Sequence, residues 1–284
     1  MDCLVLGGHG YLGSRIFDFL NTSSNNVTIG SETFSKNEST KLNIISNYRN
    51  LDDDQLINLT HNFDLIIDAT GISSSQTCNK SVTEVIQFNS FWPARLVNAC
   101  IKNQTRLVWF STFHCEKLNI NDQPSIRKNI YQLSKVIAES SIFEIEGWDE
   151  FISVIRLGNM IGAPGNLYLG NSSLFSIDIT KNLIINSMAK VRSDASKKIG
   201  FVPISDLLNS KFFSIPGFYT LYSKNEISLF TIANLIRDSY EKLSGEKGHI
   251  LFDISNDYHI NKEFISKDIR YEIDLMVKYF LENK

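Results

Sequence analysis

The apolar run Cys3-Leu4-Val5-Leu6, followed at once by Gly7-Gly8-His9-Gly10-Tyr11-Leu12-Gly13, constrains this chain more than any other stretch. Four apolar residues suit a short buried strand, and the segment beyond the glycines, Tyr11 to Leu20, has the three- and four-residue apolar spacing of a helix. At such a turn Gly7 can take backbone angles closed to other residues. Gly10 keeps a Cβ away from an approaching phosphate, and Gly13 lets the helix pack close to the sheet. A helix start also offers free N–H groups and the positive end of a dipole. The pattern reads as a cradle for the pyrophosphate of a dinucleotide, formed by Gly7, His9, Gly10, Tyr11, Leu12 and Gly13. The plainer alternative is a glycine-rich strand-to-helix turn that holds no ligand.

Strand-like runs at 3–6, 27–29, 42–45, 65–68, 107–110 and 152–156 alternate with helix-like runs at 12–20, 82–101 and 134–145. That alternation predicts an α/β fold, a Rossmann-type doubly wound parallel sheet with ligands at the carboxyl ends of its strands. After Gly158 the pattern loosens into a turn-rich stretch ending Gly162-Ala163-Pro164-Gly165. We therefore place an NAD(P)-binding domain at 1–160, with a return segment at about 198–215. A smaller C-terminal α/β substrate lobe takes 161–197 and 216–284, with helices near 228–244 and 263–281.

The 284 residues are long enough for such a two-lobed molecule, and no apolar stretch is long enough to cross a bilayer. With a strand starting at Cys3 no room is left for a leader, so the expected location is the cytoplasm. A net charge of −3 argues against a nucleic-acid partner. The four cysteines and five histidines show no metal-ligand spacing, so no metal is expected. The acidic run Asp52-Asp53-Asp54 reads as a solvated helix start.

In Tyr131-Gln132-Leu133-Ser134-Lys135 a phenol and an ammonium stand four residues apart, hence on one helical face. The charge can lower the phenol's pKa and let Tyr131 exchange a proton near neutrality, while Lys135 also holds a ribose. On a solvated helix the same spacing would mean nothing. Its weight comes from the upstream cradle and from the strand Leu107-Val108-Trp109-Phe110-Ser111-Thr112, whose terminal hydroxyls place Thr112 to hydrogen-bond a substrate oxygen.

With these features the chain resembles the extended branch of the short-chain dehydrogenase/reductase superfamily, the nucleotide-sugar epimerases, dehydratases and reductases, over nearly its whole length. Gly7, Gly10 and Gly13 match the family's fingerprint, and Leu65-Ile66-Ile67-Asp68-Ala69-Thr70-Gly71 resembles the strand passing under the cofactor. The resemblance implies that Ala69, Thr70 and Gly71 touch the cofactor. It further implies that Thr112, Tyr131 and Lys135 form the catalytic triad, that Asn89 supports the proton path, and that Glu139 is structural. Phe113, His114, Asn159 and Arg192 fall on or near the expected substrate site. His114 stands where related epimerase-reductases can carry a cysteine base, and either proton transfer or simple contact with a sugar hydroxyl suits it. A homodimer is implied, with Phe91, Trp92, Ile137 and Ile142 as contact or core residues.

Departures from the pattern narrow the reaction. Ser31 follows the second strand where NAD-preferring members carry an acid, and Lys36 offers a counter-charge for a 2′-phosphate, so NADP(H) is the preferred cofactor. NAD(H) remains possible through Glu32. Thr112 is followed by Phe113-His114 rather than the carboxylate pair of the sugar dehydratases. The expectation is a reductase of a nucleotide-linked 4-keto sugar. The alternatives are a C4 epimerase with tightly bound NAD and, less favoured, a non-catalytic NADP-binding sensor.

Overall fold

The computed structural model describes residues 1–32, 42–73, 81–117, 130–169, 174–191, 194–252 and 267–283. The chain forms two compact units, the first comprising Met1–Leu157, Gly165–Gly170 and Ser210–Leu221. Its strands are β1 (Asp2–Leu6), β2 (Asn26–Gly30), β3 (Ile44–Ile45), β4 (Leu65–Asp68), β5 (Arg106–Thr112) and β6 (Ile152–Leu157). All pair in parallel, and β1 lies between β2 and β4. That neighbour reversal is the topological switch point, where the connections leaving β1 and β4 part and open a crevice at their carboxyl ends. Residues Cys3 to Leu6 and Leu65 to Asp68 are buried. Cys3 to Leu6 and Leu65 to Ile67 read as continuous apolar runs because helices cover both faces of such a sheet.

Helix α1 (Tyr11–Asn21) joins β1 to β2, and α2 (Asp53–Thr60) precedes β4. The acidic run caps α2: Asp52 accepts from the Gln55 N–H at 2.8 Å, and Gln55 Oε1 accepts from the Asp52 N–H at 3.1 Å. This reciprocal box satisfies two amide donors that a helix start leaves open. The helical run expected at 82–101 is present but broken into α3 (Val82–Ile86), a π turn (Gln87–Phe91) and α4 (Trp92–Asn103). A π turn accommodates one extra residue. Here Asn89 and Ser90 lie buried while Phe91 is 60% exposed. Helix α5 (Ile130–Phe143) and the short α6 (Trp148–Phe151) complete this side. Trp92 and Ile142 sit in the core with Leu96, Trp109 and Val154, so of the four apolar residues considered for a dimer contact only Phe91 is exposed. Ile137 is half-buried.

The second unit comprises Gly158–Pro164, Asn171–Asn209 and Tyr222–Lys284. It contains β7 (Asn159–Ile161), β8 (Met188–Val191), β9 (Lys198–Pro203), β11 (Glu226–Ser228) and β12 (His249–Phe252). Of the return segment expected at about 198–215, only the part from Ser210 belongs to the first unit, and β9 pairs with β7 and β11. The strand that completes the large sheet is instead β10 (Gly217–Leu221), parallel to β6, in the stretch assigned from the sequence to the smaller lobe. Pairing at this distance along the chain is not written in periodicity. The Ser153 hydroxyl contacts the Phe212 and Ile215 carbonyls at 2.8 and 2.9 Å and anchors the approach to β10. Helices α7 (Phe175–Asn186), α8 (Ile204–Leu208), α9 (Leu229–Ser244) and α10 (Lys267–Glu282) surround the small sheets. Among the described residues no helix is long and apolar enough to cross a membrane.

Candidate active site

The turn after β1 is built by backbone alone. Gly7 has φ +79°, and its N–H donates to the Gly30 carbonyl at 2.8 Å. The Gly10 N–H returns to the Gly7 carbonyl at 2.8 Å, closing the loop. A Cβ at Gly13 would lie 2.2 Å from the Gly7 oxygen and 3.1 Å from Gly8 Cα, so the first turn of α1 rests directly on the loop. Gly10 is the N-cap of α1 and no side chain caps the helix. A backbone cradle at a helix start with no acidic side chain in its first turn suits a diphosphate. Gly8 carries a constraint that sequence reasoning misses. Its Cβ would meet Ile29 Cγ2 at 2.0 Å, and only the glycine doublet hints at that contact. The segment at 165–169 lies along the same cradle: the Gly165 N–H donates to Ser14 Oγ at 3.0 Å and the Leu169 N–H to the His9 carbonyl at 3.2 Å.

His9 is buried, with Nδ1 2.7 Å from Ser31 Oγ, which couples the cradle to the end of β2. Ser31 is itself buried, and its N–H donates to the Ile45 carbonyl at 3.0 Å. Glu32 is exposed, and Lys36 lies outside the described residues.

At the end of β4 the chain passes through Ala69, Thr70 and Gly71 to meet the π turn. The Asn89 side chain clasps Ile72, accepting from its N–H at 2.9 Å and donating to its carbonyl at 3.0 Å. Asn89 Nδ2 also reaches Ser134 Oγ at 3.1 Å, and that hydroxyl donates to the Tyr131 carbonyl at 2.7 Å. Ser90 Oγ adds a bond to the Ser134 carbonyl at 2.8 Å. A Cβ on Gly71 would lie 3.5 Å from Asn89 Oδ1 and 3.7 Å from Lys135 Nζ. Gly71, Asn89 and Lys135 thus converge, although they are remote in sequence. Ser134, which no sequence motif marks, stitches the π turn to α5.

Lys135 is 3% exposed. Its ammonium donates to the Phe110 carbonyl at 2.8 Å and stands 4.6 Å from the centre of the Trp109 ring. Burial pulls its pKa down to about 8, against the opposing pull of Asp68, Cys115 and Glu139. Tyr131 is half-buried one turn earlier on α5. Thr112 ends β5, buried, with the His114 N–H 3.4 Å from its Oγ1. Phe113 and His114 are half-buried in the 3₁₀ turn that follows. Cys115 is buried and burial pushes its thiol up, which suits a packed thiol. Glu139 holds Arg156 through both oxygens, at 2.9 and 2.6 Å, and so ties α5 to β6. Such a two-pronged bond fixes orientation as well as charge.

Asn159 opens β7 in the second unit, paired with Phe201, and Arg192 lies outside the described residues. Among the described residues no cluster of histidine, cysteine or carboxylate side chains could hold a metal ion.

Comparison with solved structures returns the same architecture. MoeE5 in complex with UDP-glucose and NAD superposes with a TM-score of 0.72 at 15% identity, covering 100% of this chain and 99% of that one. UDP-glucose 4-epimerase from Thermotoga maritima, solved with UDP-glucose, gives 0.71 at 15% over 100% and 99%. UDP-N-acetylglucosamine 4-epimerase from Methanobrevibacter ruminantium M1, in complex with UDP-N-acetylmuramic acid, gives 0.72 at 17% over the same shares. No curated protein sequence matches. A sequence profile spans residues 3–206, from β1 through β9 into α8, and on that match the chain belongs to the NAD dependent epimerase/dehydratase family.

Proposed function

We propose that the protein is an NAD(P)H-dependent reductase of a nucleotide-linked 4-keto sugar. The observation that carries this reading is the buried Lys135 ammonium of α5, bonded to the Phe110 carbonyl of β5, on a helix that Asn89 of the π turn holds through Ser134. When bound, the nicotinamide supplies the hydride. Tyr131 gives its phenolic proton to the carbonyl oxygen of the sugar, and Thr112 donates a hydrogen bond that polarises the same oxygen. Lys135 holds the nicotinamide ribose and stabilises the phenolate left behind. Asn89, through Ser134 and Ile72, keeps the path for proton return in place. His114, Phe113, Asn159 and Arg192 are the residues we assign to the sugar nucleotide.

Ser31 favours NADPH, since no carboxylate at that position repels a 2′-phosphate. The second reading is C4 epimerisation with tightly held NAD, favoured by the fold shared with the two 4-epimerases. The two separate in one assay. The reductase consumes NADPH steadily with a 4-keto sugar nucleotide, and kcat/KM falls above about pH 8 as Lys135, whose pKa is lowered to about 8, loses its charge. Bound NAD in the purified protein with no net consumption would establish the epimerase instead.

A homodimer is part of this proposal, with the Phe91-bearing face of α3 and the π turn against its equivalent. Phe91, Phe88, Arg49 and Arg95 border a surface pocket of ≈ 470 Å³ there. Sedimentation should give twice the 32.3 kDa chain mass, and Phe91→Glu should return it to the monomer. A native protein that sediments as a monomer rejects the pairing.

A further inference from the structure

We propose that Asp68 is a positioning residue for the Tyr131–Lys135 pair, its buried carboxylate at the end of β4 keeping the Lys135 ammonium charged and in place. The inference rests on the proton-transfer role proposed for that pair.

Asp68 takes no part in the proton transfer described above, yet it is a fully buried acid surrounded by donors. Oδ1 accepts from the Thr70 N–H at 3.0 Å and from the Thr70 hydroxyl, and Oδ2 accepts from Trp92 Nε1 at 3.1 Å. An amide N–H and an indole N–H can only donate, so both carboxyl oxygens are held as acceptors. Donors on both oxygens favour the ionised form. Burial, the largest influence, leaves its pKa raised, and the Thr70 bonds, Lys135 and Arg49 offset part of that rise.

Its place relative to Lys135 follows from the sheet. Asp68 is the register partner of Trp109 on β5. The ammonium of Lys135 lies over that same Trp109 ring and bonds to the next carbonyl, that of Phe110. A Cβ added at Gly71, three residues beyond Asp68, would lie 3.7 Å from Nζ. The other ionisable groups around Lys135 are committed or neutral. Glu139 is held through both oxygens by Arg156, and burial pushes the Cys115 thiol up, away from its charged form. Tyr131 is the group that the pair must switch. Around Asp68 itself, burial likewise raises Tyr48 and Cys100, and Arg49 is a further cation. Asp68 is thus the acid available to offset the cost of a buried ammonium, and without it a neutral amine is the cheaper form.

The test is a direct titration of Lys135 Nζ by nitrogen NMR in the full-length protein labelled with ¹⁵N-lysine, the resonance assigned by its loss in Lys135→Arg. In Asp68→Asn, which keeps the side-chain volume, the midpoint should fall by about one pH unit or more. The alkaline fall in kcat/KM should move to lower pH with it. A merely structural role would lower the melting temperature and leave the midpoint where it was. Should Asp68→Asn fail to fold, Thr70→Val removes one donor to the carboxylate, and a smaller shift in the same direction is expected. An unchanged midpoint in whichever variant folds overturns the proposal. Full turnover by Tyr131→Phe would remove the catalytic reading alone and leave this titration standing.

Discussion

Tyr131→Phe is expected to turn over substrate about 100- to 10,000-fold more slowly than the native protein, with NADPH affinity and melting temperature nearly unchanged. The factor corresponds to about 2.7 to 5.4 kcal/mol of lost transition-state stabilisation, at 1.36 kcal/mol per tenfold. Only one oxygen is removed. The ring stays on a helix held from several sides: by the Ser90 and Asn89 bonds to Ser134, by Lys135 on the Phe110 carbonyl, and by Glu139 on Arg156. None of these contacts uses the phenolic oxygen, and an unchanged melting temperature separates a lost proton donor from a displaced α5. Steady-state kinetics with a 4-keto sugar nucleotide, read beside a thermal melt, checks it. A Tyr131→Phe variant running at the native rate would falsify the assignment of the acid.

The residues behind that effect are legible in the sequence, and their legibility has a physical origin. The cradle announces itself because backbone geometry admits only glycine at Gly7 and Gly13, and the Tyr131–Lys135 pair because helical spacing alone brings two side chains to one face. Strand existence is readable from buried apolar residues: Cys3 to Leu6 in β1, Leu65 to Ile67 in β4, and Ile152, Val154, Ile155 and Leu157 in β6. What periodicity omits is which strand pairs with which. The runs that form β9 and β10 look alike as short apolar stretches, and only long-range partners, β7 and β11 for one and β6 for the other, decide the sheet each joins. The π turn is invisible because one extra residue in a helix leaves the apolar spacing nearly intact, yet it sets Asn89 on Ile72 and Ser134. Asp68 and Ser134 go unmarked because their significance lies in partners that are distant along the chain or, for Ser134, in a hydroxyl shared between two elements.

Gly13→Ala and Gly10→Ala should separate packing from ligand contact within the cradle. At Gly13 the added carbon meets the Gly7 oxygen at 2.2 Å, the Gly7 carbonyl carbon at 2.7 Å and Gly8 Cα at 3.1 Å. Every obstacle is backbone, and the loop is already closed by the Gly10-to-Gly7 hydrogen bond, so no side chain can swing aside. Either α1 lifts off the loop or the loop opens, at a cost on the order of 1–3 kcal/mol, which lowers the melting temperature by roughly 2–4 °C per kcal/mol. NADPH affinity falls as well, by about tenfold for each 1.4 kcal/mol of cradle geometry lost. At Gly10 the same carbon meets, among the described residues, only the Gly7 oxygen, at 3.1 Å. The unliganded protein should therefore melt close to the native temperature, while NADPH binding drops because the methyl occupies the approach to the diphosphate. Calorimetric titration with NADPH and melts of both variants decide the matter. If Gly10→Ala binds with native affinity, the turn is a packing device and the cofactor lies elsewhere. If Gly13→Ala melts unchanged, α1 does not rest on the loop.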